Sequence, residues 1–338
     1  MSIRFAFVGF RHVHIFDLLA GVKENTDCQL VAACEEDPAA RQSLQADKKV
    51  EITHDNFEAM LSQVDCDVVA IGDYYGKRGR LAIRALQAGK HVISDKPICT
   101  SLAELDEIER LARQKHLAVG CQLDFRATGP CWTALKLLRA GQIGEVHTVC
   151  FSGQHPLLWG SRPDWYFQQG CHGGTINDIF IHAADAIEFL TGHKFVEVVA
   201  ARAWNARLGQ VPHFQDAAQL MLRMDNNAGV IGDVSYLAAE KCGYSMSNYW
   251  RYTLHGSNGL MEFDYNSKTL TLVTKDDAQP RQVPLEAGPK RQYLSDFLDE
   301  VHCRCGNSSL TSASVLRASR TALLAQQAAD EAKVHVKI

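Results

Sequence analysis

Strand-like and helix-like segments alternate through the first third of this 338-residue chain. Short apolar runs with strand character occupy residues 3–8, 30–34, 66–71, 91–94 and 117–121. Helix signals separate them, because Asp37 and Pro38 supply an N-cap and a first-turn proline and Ser101 starts a further helix. Runs this apolar must be covered on both faces, so the alternation predicts a parallel, doubly wound α/β sheet.

The pattern of polar and apolar residues changes after about residue 123. Longer segments of alternating polarity lie at 196–206, 216–224, 230–237, 250–255 and 260–265, with helical segments at 130–140, 290–302 and 312–331. Strands in a run with helices at the ends predict an α+β domain built on a large, open, mainly antiparallel sheet. We therefore expect two domains, residues 1–123 and residues 124–338.

Composition limits the classes of partner. A hydrophobic share of 46% and a charged share of 22% are typical of a globular protein with ample core. The net charge of −4 gives no electrostatic reason to expect nucleic acid or an anionic membrane. No apolar run reaches the roughly 18 residues of a membrane span, and strand-like sequence begins at Ile3, so neither an anchor nor a signal peptide is predicted.

Cysteine usage indicates the compartment. Eleven cysteines are scattered over strands and helices, which is typical of reduced thiols in a cytoplasmic enzyme. His302, Cys303 and Cys305 lie close together, but their spacing lacks the second ligand pair of a structural zinc site. We therefore predict no metal site.

The segment from Gly173 to Leu190 combines a helical pattern with ionisable side chains. At about 100° per residue, its apolar residues form one stripe, and Asp178, His182 and Asp185 fall within about 60° of each other on the opposite side. Asp178 and His182 stand one turn apart, so they form a candidate acid/base pair near neutral pH. The alternative is a structural carboxylate–imidazole pair on a partly solvated face.

Three motifs follow one another along the chain. They are Gly-Lys-His-Val…Asp-Lys-Pro over residues 89–97, the segment 138–146, and Gly-Gly-x-x-x-Asp-x-x-x-His-x-x-Asp over residues 173–185. Together they resemble the glucose–fructose oxidoreductase, inositol dehydrogenase and rhizopine-catabolism (Gfo/Idh/MocA) family, from about residue 3 to about residue 265. The resemblance implies an N-terminal Rossmann domain, a C-terminal α+β domain, and NAD-dependent oxidation of a secondary hydroxyl group on a sugar, inositol or related cyclic alcohol.

The loop after the first strand departs from the Gly-x-Gly-x-x-Gly pattern of the family. Gly9 is retained, but Arg11 and His14 stand at the later glycine positions. The candidates for cofactor contact are Gly9, Phe10, Arg11, His12, Glu35, Tyr74 and Lys96. A carboxylate at Glu35 would accept hydrogen bonds from the adenine ribose and repel a 2′-phosphate, which favours NAD over NADP, whereas Arg11 could neutralise that phosphate. The degenerate loop leaves open a non-catalytic nucleotide- or ligand-binding protein on the same fold.

The proline after Lys96 holds this lysine extended at the carboxyl edge of the predicted sheet, where its ammonium can stabilise an alkoxide. The family motif is usually Glu-Lys-Pro, and here it is Asp-Lys-Pro. We predict His182 as the general base and Asp178 as the residue that orients the substrate or His182, although Lys96 and His182 could exchange roles. The predicted substrate contacts are His155, Asp164, Trp165, Asp178 and His182, with Trp159 and Tyr166 as further aromatic candidates.

Apolar residues occur at both alternations of the segments 196–204 and 217–224. Both faces of the second domain's sheet would then need cover, so we predict a homodimer or homotetramer formed through the open face. The alternative is that the C-terminal helices cover that face within one chain.

Overall fold

The computed structural model describes residues 2–304 and 308–338, so Cys305 of the rejected zinc motif lies outside the described residues. The chain forms two compact units. The first comprises Met1–Gln122, Gly170–Gly173 and Arg291–Arg317, and the second comprises Leu123–Gln169, Gly174–Lys290 and Ala318–Ile338. The main division falls next to the expected boundary, but the second unit is not the continuous segment 124–338 that the sequence predicts.

The first unit contains the predicted parallel sheet. Its strands are β1 (Ile3–Val8), β2 (Cys28–Cys34), β3 (Val68–Ile71), β4 (His91–Ser94) and β5 (Val119–Cys121). Its helices are α1 (Ile15–Glu24), α2 (Pro38–Asp47), α3 (Phe57–Gln63), α4 (Tyr75–Gln87), α5 (Leu102–Lys115) and α8 (Gln292–Val301). The strands pair in parallel in the order β2-β1-β3-β4-β5, which confirms the doubly wound sheet.

Local capping explains where three of these helices begin. Asp37, Asn56 and Ser101 are the N-caps of α2, α3 and α5, and each side chain accepts a hydrogen bond from the backbone N–H three residues later. The predicted caps at Asp37 and Ser101 are thus confirmed.

Helix α8 is distant in sequence from the sheet edge that it covers. The Gln122 side-chain amide donates to the Tyr293 hydroxyl at 3.3 Å. A Cβ added at Gly120 would lie 2.7 Å from the Phe297 ring, so glycine at this position of β5 leaves the space that the ring occupies. The edge strand β5 therefore needs residues from 291–317, and this is why the first unit is discontinuous.

The second unit is built on a nine-stranded sheet. Its strands are β6 (Val146–Pro156), β7 (Phe195–Trp204), β8 (Ala217–Met224), β9 (Gly229–Ala238), β10 (Arg251–Gly256), β11 (Gly259–Asp264), β12 (Thr269–Thr274), β13 (Arg281–Pro284) and β14 (Val334–Lys337). Its helices are α6 (Gly129–Arg139), α7 (Ile181–Thr191) and most of α9 (Ser312–Asp330). Nowhere in residues 2–304 and 308–338 is there a helix with both the length and the apolar character of a membrane span.

The strand order of this sheet is β13-β12-β11-β10-β6-β9-β8-β7-β14. Every neighbouring pair is antiparallel except β6 and β9, which confirms a large, mainly antiparallel sheet. Strands β12, β13 and β14 were not predicted from the sequence, and the last helix is followed by a strand. β13 and β14 form the two edges of the sheet and are only four residues long, so they carry little sequence pattern. β12 does alternate, as Thr-Leu-Thr-Leu, and this signal was overlooked.

Helix α6 packs on strands β11 and β12, and the outward face of β8 and β9 is exposed. Met221 and Ile231 stand directly opposite each other there, and about half of each side chain is accessible. Gln219 and Asp233 are exposed beside them. The open face is therefore mixed in polarity rather than uniformly apolar.

A buried ion pair joins α7 to the turn before α6. The Arg126 guanidinium donates from Nε to an Asp185 carboxylate oxygen at 2.8 Å and from Nη2 to the other oxygen. Both side chains are almost completely buried, and the guanidinium lies 4.4 Å from the centroid of the Phe189 ring. Asp185, which the sequence places beside Asp178 and His182, thus has a structural partner.

Replacing Arg126 with leucine should lower the free energy of unfolding of the second unit by about 3–5 kcal/mol, because the Asp185 carboxylate is left buried without its counter-charge. All five tryptophans belong to this unit, so urea denaturation followed by tryptophan fluorescence reports its stability. Arg251→Leu, which breaks the exposed pair with Glu262, is the control and should cost less than about 1 kcal/mol. Equal losses in the two variants would contradict the prediction.

Candidate active site

The order of the parallel sheet creates a crevice at the carboxyl ends of β1 and β3. In a sheet of this order, the connections leave β1 and β3 towards opposite sides, and ligands bind between them. Gly9 directly follows β1, adopts a φ of +73°, and would carry a Cβ only 2.5 Å from the Asp73 Cβ. Glycine is therefore required at this position.

The loop between β1 and α1 keeps two backbone N–H groups for an anion. The N–H groups of Arg11 and His12 donate to the Gly72 carbonyl oxygen at 3.1 and 3.2 Å. Those of Val13 and His14 have no acceptor within the part of the chain that the structure describes. They stand at the N-terminus of α1, where the helix dipole favours negative charge. A pyrophosphate group therefore fits the loop although the later glycines are missing.

Acidic side chains surround the end of β2. Glu35 is fully buried, and its carboxylate accepts hydrogen bonds from the N–H groups of Phe10 at 2.7 Å and Asp37 at 3.0 Å. Burial raises the pKa of Glu35. The Arg11 guanidinium turns towards Asp37 and lies 3.2 Å from its carboxylate. Glu35 thus anchors the loop through Phe10, and its contact with a ribose stays a prediction.

Lys96 follows β4 and is held through its backbone by a buried guanidinium. Arg78 of α4 donates from Nη1 to the carbonyl oxygens of Lys96 at 2.5 Å and Pro97 at 3.2 Å. Its Nη2 donates to the Asp95 carboxylate at 3.0 Å. The Lys96 ammonium lies 6.0 Å from the centroid of the Tyr75 ring, within range of a cation–π contact.

His12 connects the loop to Asp95 and Tyr75. Its Nδ1 bonds the Asp95 carboxylate, and its Nε2 lies 3.3 Å from the Tyr75 hydroxyl. Burial lowers the pKa of His12 to about 4, so the neutral ring donates from Nδ1 and accepts at Nε2. Burial alone would raise the pKa of Asp95, but Arg78 and His12 hold that pKa well below its usual value. Tyr74, the predicted aromatic contact, is the N-cap residue of α4.

His12, His14 and Asp95 form the one cluster within residues 2–304 and 308–338 whose ligand atoms lie close enough together to hold a metal ion, all within 4.8 Å. Asp95 already accepts hydrogen bonds from Arg78 and His12. A fixed guanidinium beside the cluster also repels a second cation. We therefore interpret the cluster as a hydrogen-bond network.

In the second unit, a π-helical turn, Ile176–Phe180, precedes α7. The Gln326 side-chain oxygen accepts hydrogen bonds from the N–H groups of Ile176 at 2.9 Å and Asn177 at 3.3 Å. The regular α-helical spacing that the sequence predicts for Asp178 and His182 is thus wrong over this turn. Single π turns within helices are rare and occur frequently at functional sites.

Asp178 and His182 are both buried beside aromatic side chains. The Tyr236 hydroxyl from β9 donates to the Asp178 carboxylate. Burial and the Asp178 charge hold the pKa of Tyr236 well above its usual value, so the phenol remains a donor. The His182 ring lies edge-on to Trp250, with centroids 5.6 Å apart.

His155, a predicted substrate contact at the end of β6, is buried among aromatic rings. Its ring centroid lies between 5.0 and 6.2 Å from those of Tyr236, Tyr244, Tyr249 and Trp250. The structure therefore connects His155 to Asp178 through Tyr236 and to His182 through Trp250.

The loop predicted to contact substrate has a buried and an exposed part. Trp165 is buried against Tyr166, with ring centroids 4.3 Å apart, whereas Asp164 is exposed and Trp159 is half-exposed. A cleft of about 410 Å³ opens beside Trp159, and its lining includes Arg207 and Lys241. Trp165 thus serves the packing of the loop, and Trp159 is the aromatic side chain in this loop that is open to a ligand.

Two family models cover most of the chain. Residues 3–123 match a model described as an oxidoreductase family with an NAD-binding Rossmann fold, and residues 132–262 match the GFO/IDH/MocA C-terminal domain. The chain belongs to the Gfo/Idh/MocA family. The resemblance seen in the sequence and the NAD-binding class of the first domain are thereby confirmed.

Individual relatives are distant. Levoglucosan dehydrogenase from Pseudarthrobacter phenanthrenivorans is 24% identical over 237 residues, which are 63% of this chain and 59% of that protein. The chain spans only 51% of a second curated relative, a dehydrogenase from Comamonas testosteroni.

Solved structures extend the likeness to nearly the whole chain. A putative oxidoreductase from Erwinia carotovora atroseptica has a TM-score of 0.87 at 26% identity, over 97% of this chain and 99% of its own. A levoglucosan dehydrogenase complex with NADH and L-sorbose has a TM-score of 0.80 at 19% identity, over 100% of this chain and 99% of its own, which shows a common fold.

The site residues predicted from the sequence did not include Arg78 or Tyr236. Tyr75 and Arg78 follow β3 at a three-residue spacing on one helix face, and this spacing was the available signal. Tyr236 meets Asp178 only because of the strand order, so no local pattern indicates it.

The Arg11–Asp37 ion pair predicts tighter binding of NADH than of NADPH. Asp37→Asn keeps an acceptor for the Ala40 N–H and removes the charge that holds Arg11. The freed guanidinium can pair with a 2′-phosphate, so the Kd of NADPH should fall about tenfold and that of NADH should change less than about twofold. Fluorescence titration measures both constants, with Asp47→Asn at the surface pair with Lys49 as the control. An unchanged NADPH constant would refute this role of Arg11.

Proposed function

We propose that this chain is an NAD-dependent dehydrogenase that oxidises a secondary hydroxyl group of a sugar, inositol or related cyclic alcohol. The observation that carries the proposal is Lys96, which Arg78 fixes at the carboxyl edge of an NAD-binding Rossmann sheet. Membership of an oxidoreductase family supports the class of reaction, and the relative named levoglucosan dehydrogenase supports the class of substrate.

The chain's own residues supply charge and proton transfer to this reaction. NAD bound at the loop after β1 would supply the acceptor for the hydride of the carbinol carbon. The Lys96 ammonium donates a hydrogen bond to the substrate oxygen and stabilises the alkoxide that forms on deprotonation. His182 takes the hydroxyl proton as general base, and Asp178 orients the substrate or His182. Lys96 and His182 can exchange these two roles.

The aromatic surroundings of His155 and the half-exposed Trp159 support a ring-shaped polyhydroxylated substrate. Aromatic faces pack against the C–H groups of such a ring, and a few polar groups bind its hydroxyls. His155, Asp164, Trp159 and the buried Trp165 are the candidates for these contacts.

Non-catalytic binding of a nucleotide or another ligand on the same fold is the second candidate. The loss of the later glycines favours it, whereas the two N–H groups at the start of α1 support retained dinucleotide binding. Calorimetric titration with NAD, NADH and NADPH tests whether the chain binds a dinucleotide. A turnover assay over a panel of polyols and sugars then distinguishes a dehydrogenase from a non-catalytic binding protein. Binding of none of the three dinucleotides would remove the dehydrogenase proposal.

We place the protein in the cytoplasm. Every cysteine within the described ranges is a free thiol, including the exposed Cys150, Cys242 and Cys303. Exposed thiols of this kind are typical of a reducing compartment.

Lys96→Ala and His182→Ala should each lower kcat by a factor of about 100 or more, because each removes a group that acts on the transition state. The Kd of NADH should change by less than about twofold, since neither side chain supplies the backbone contacts of the loop. Steady-state kinetics and fluorescence titration measure the two effects. His193→Ala, at an exposed pair with Asp225, is the control. Near-normal kcat in His182→Ala would identify a structural histidine.

We further propose that the open face of β8 and β9 pairs with a second copy of the chain, as a homodimer or within a homotetramer. Met221 and Ile231 form an exposed apolar pair on this face, which a symmetric partner would cover.

Light scattering at micromolar concentration should therefore give at least twice the chain mass of 37.5 kDa. The double variant Met221→Glu/Ile231→Lys should shift the mass towards the monomer, because charged groups at the centre of such an interface are costly to bury. Val334→Lys, at an exposed apolar residue of the edge strand β14, is the control. A monomeric parent chain would contradict the proposal.

A further inference from the structure

We propose that Tyr75 is a positioning residue that couples the dinucleotide loop to Lys96, and the inference rests on the proposed function only for the role of Lys96. The Tyr75 side chain is completely buried. Its ring centroid lies 4.6 Å from the Arg78 guanidinium carbon, 6.0 Å from the Lys96 ammonium and 5.5 Å from the centroid of the His172 ring. One aromatic ring thus contacts the cation to be positioned and the cation that holds its backbone.

The hydroxyl end of Tyr75 is fixed by the loop itself. His12 accepts from this hydroxyl at Nε2, donates from Nδ1 to Asp95, and donates from its backbone N–H to Gly72. The imidazole is therefore bound at both nitrogens and cannot rotate without breaking one of these bonds. His12 stands between Arg11 and His14, the two positions at which the family pattern has glycine, and its side chain reaches the Tyr75 hydroxyl.

The contacts form a closed circuit around Lys96. Its carbonyl oxygen is bound by Arg78, Arg78 binds Asp95, Asp95 binds His12, and His12 binds Tyr75, whose ring faces the ammonium. Because each link shares a residue with the next, a ligand that fixes the position of His12 also restricts the ammonium. Loop and lysine therefore act as one unit, which links dinucleotide binding to the position of Lys96.

The rate at which acetic anhydride acetylates Lys96, measured by mass spectrometry on the full chain without added dinucleotide, tests the coupling without requiring turnover. Lys77 is the internal control because it is also buried, lies two residues from Tyr75 on α4, and is paired with Glu36 and Asp73. Tyr75→Leu removes the ring. The Lys96 acetylation rate should then rise about tenfold, because the ammonium loses a buried cation–π contact. The Lys77 rate should change less than about twofold, since its ion pairs remain.

Milder variants test the link through His12. Tyr75→Phe removes the hydroxyl and keeps the ring, and His12→Asn keeps a donor for Asp95 and removes the Nε2 acceptor. Each variant should raise the Lys96 acetylation rate about threefold. The double variant should show the same threefold rise, because both substitutions remove the same hydrogen bond between Tyr75 and His12.

An unchanged Lys96 rate in Tyr75→Leu, an equal rise at Lys77, or a ninefold rise in the double variant would overturn the coupling. These outcomes differ from failure of the proposed function, which appears as normal turnover in Lys96→Ala while the acetylation pattern still follows Tyr75 and His12.

Discussion

The buried guanidinium of Arg78 organises the carboxyl edge of the parallel sheet. Its Nε donates to the Asp73 carbonyl oxygen at 2.7 Å, so the same ion binds the segment after β3 and the segment after β4. A charge this deep is stable only when its donors are satisfied and a carboxylate balances it, as Asp95 does here. The planar fork serves acceptors in several directions while its face stacks on an aromatic ring, a geometry that a lysine ammonium does not offer.

The two carboxylates on the Asp178–Asp185 segment differ in the partners that bind them. Asp185 is neutralised by a bidentate guanidinium, which fixes both of its oxygens. Asp178 instead accepts a hydrogen bond on one oxygen from a phenol, the Tyr236 hydroxyl, which holds the direction of the carboxylate. The sequence shows two aspartates on one helix, and only their contacts in the folded structure distinguish them.

Local signals determined most of what the sequence could predict. The parallel strands and the caps at Asp37 and Ser101 depend on residues within a few positions, so they were read correctly. The pairing of β14 with β7 and the parallel pairing of β6 with β9 depend on partners far along the chain, and they were missed. Strands β12 and β13 pair with near neighbours and were missed as well. Among the candidate residues, Lys96, Asp178 and His182 were predicted from motif spacing, whereas the contacts of Tyr75 with His12 and of Tyr236 with Asp178 span 58 residues or more.

The return of residues 291–317 to the first unit has a consequence for synthesis on the ribosome. When β5 has emerged, the ring of Phe297 and the Tyr293 partner of Gln122 are still untranslated. The dinucleotide-binding unit therefore cannot cover this sheet edge until residues 291–317 have been synthesised. Nascent chains of intermediate length expose that edge to other strands, and a fragment cut at the main division between the units retains the same exposed edge.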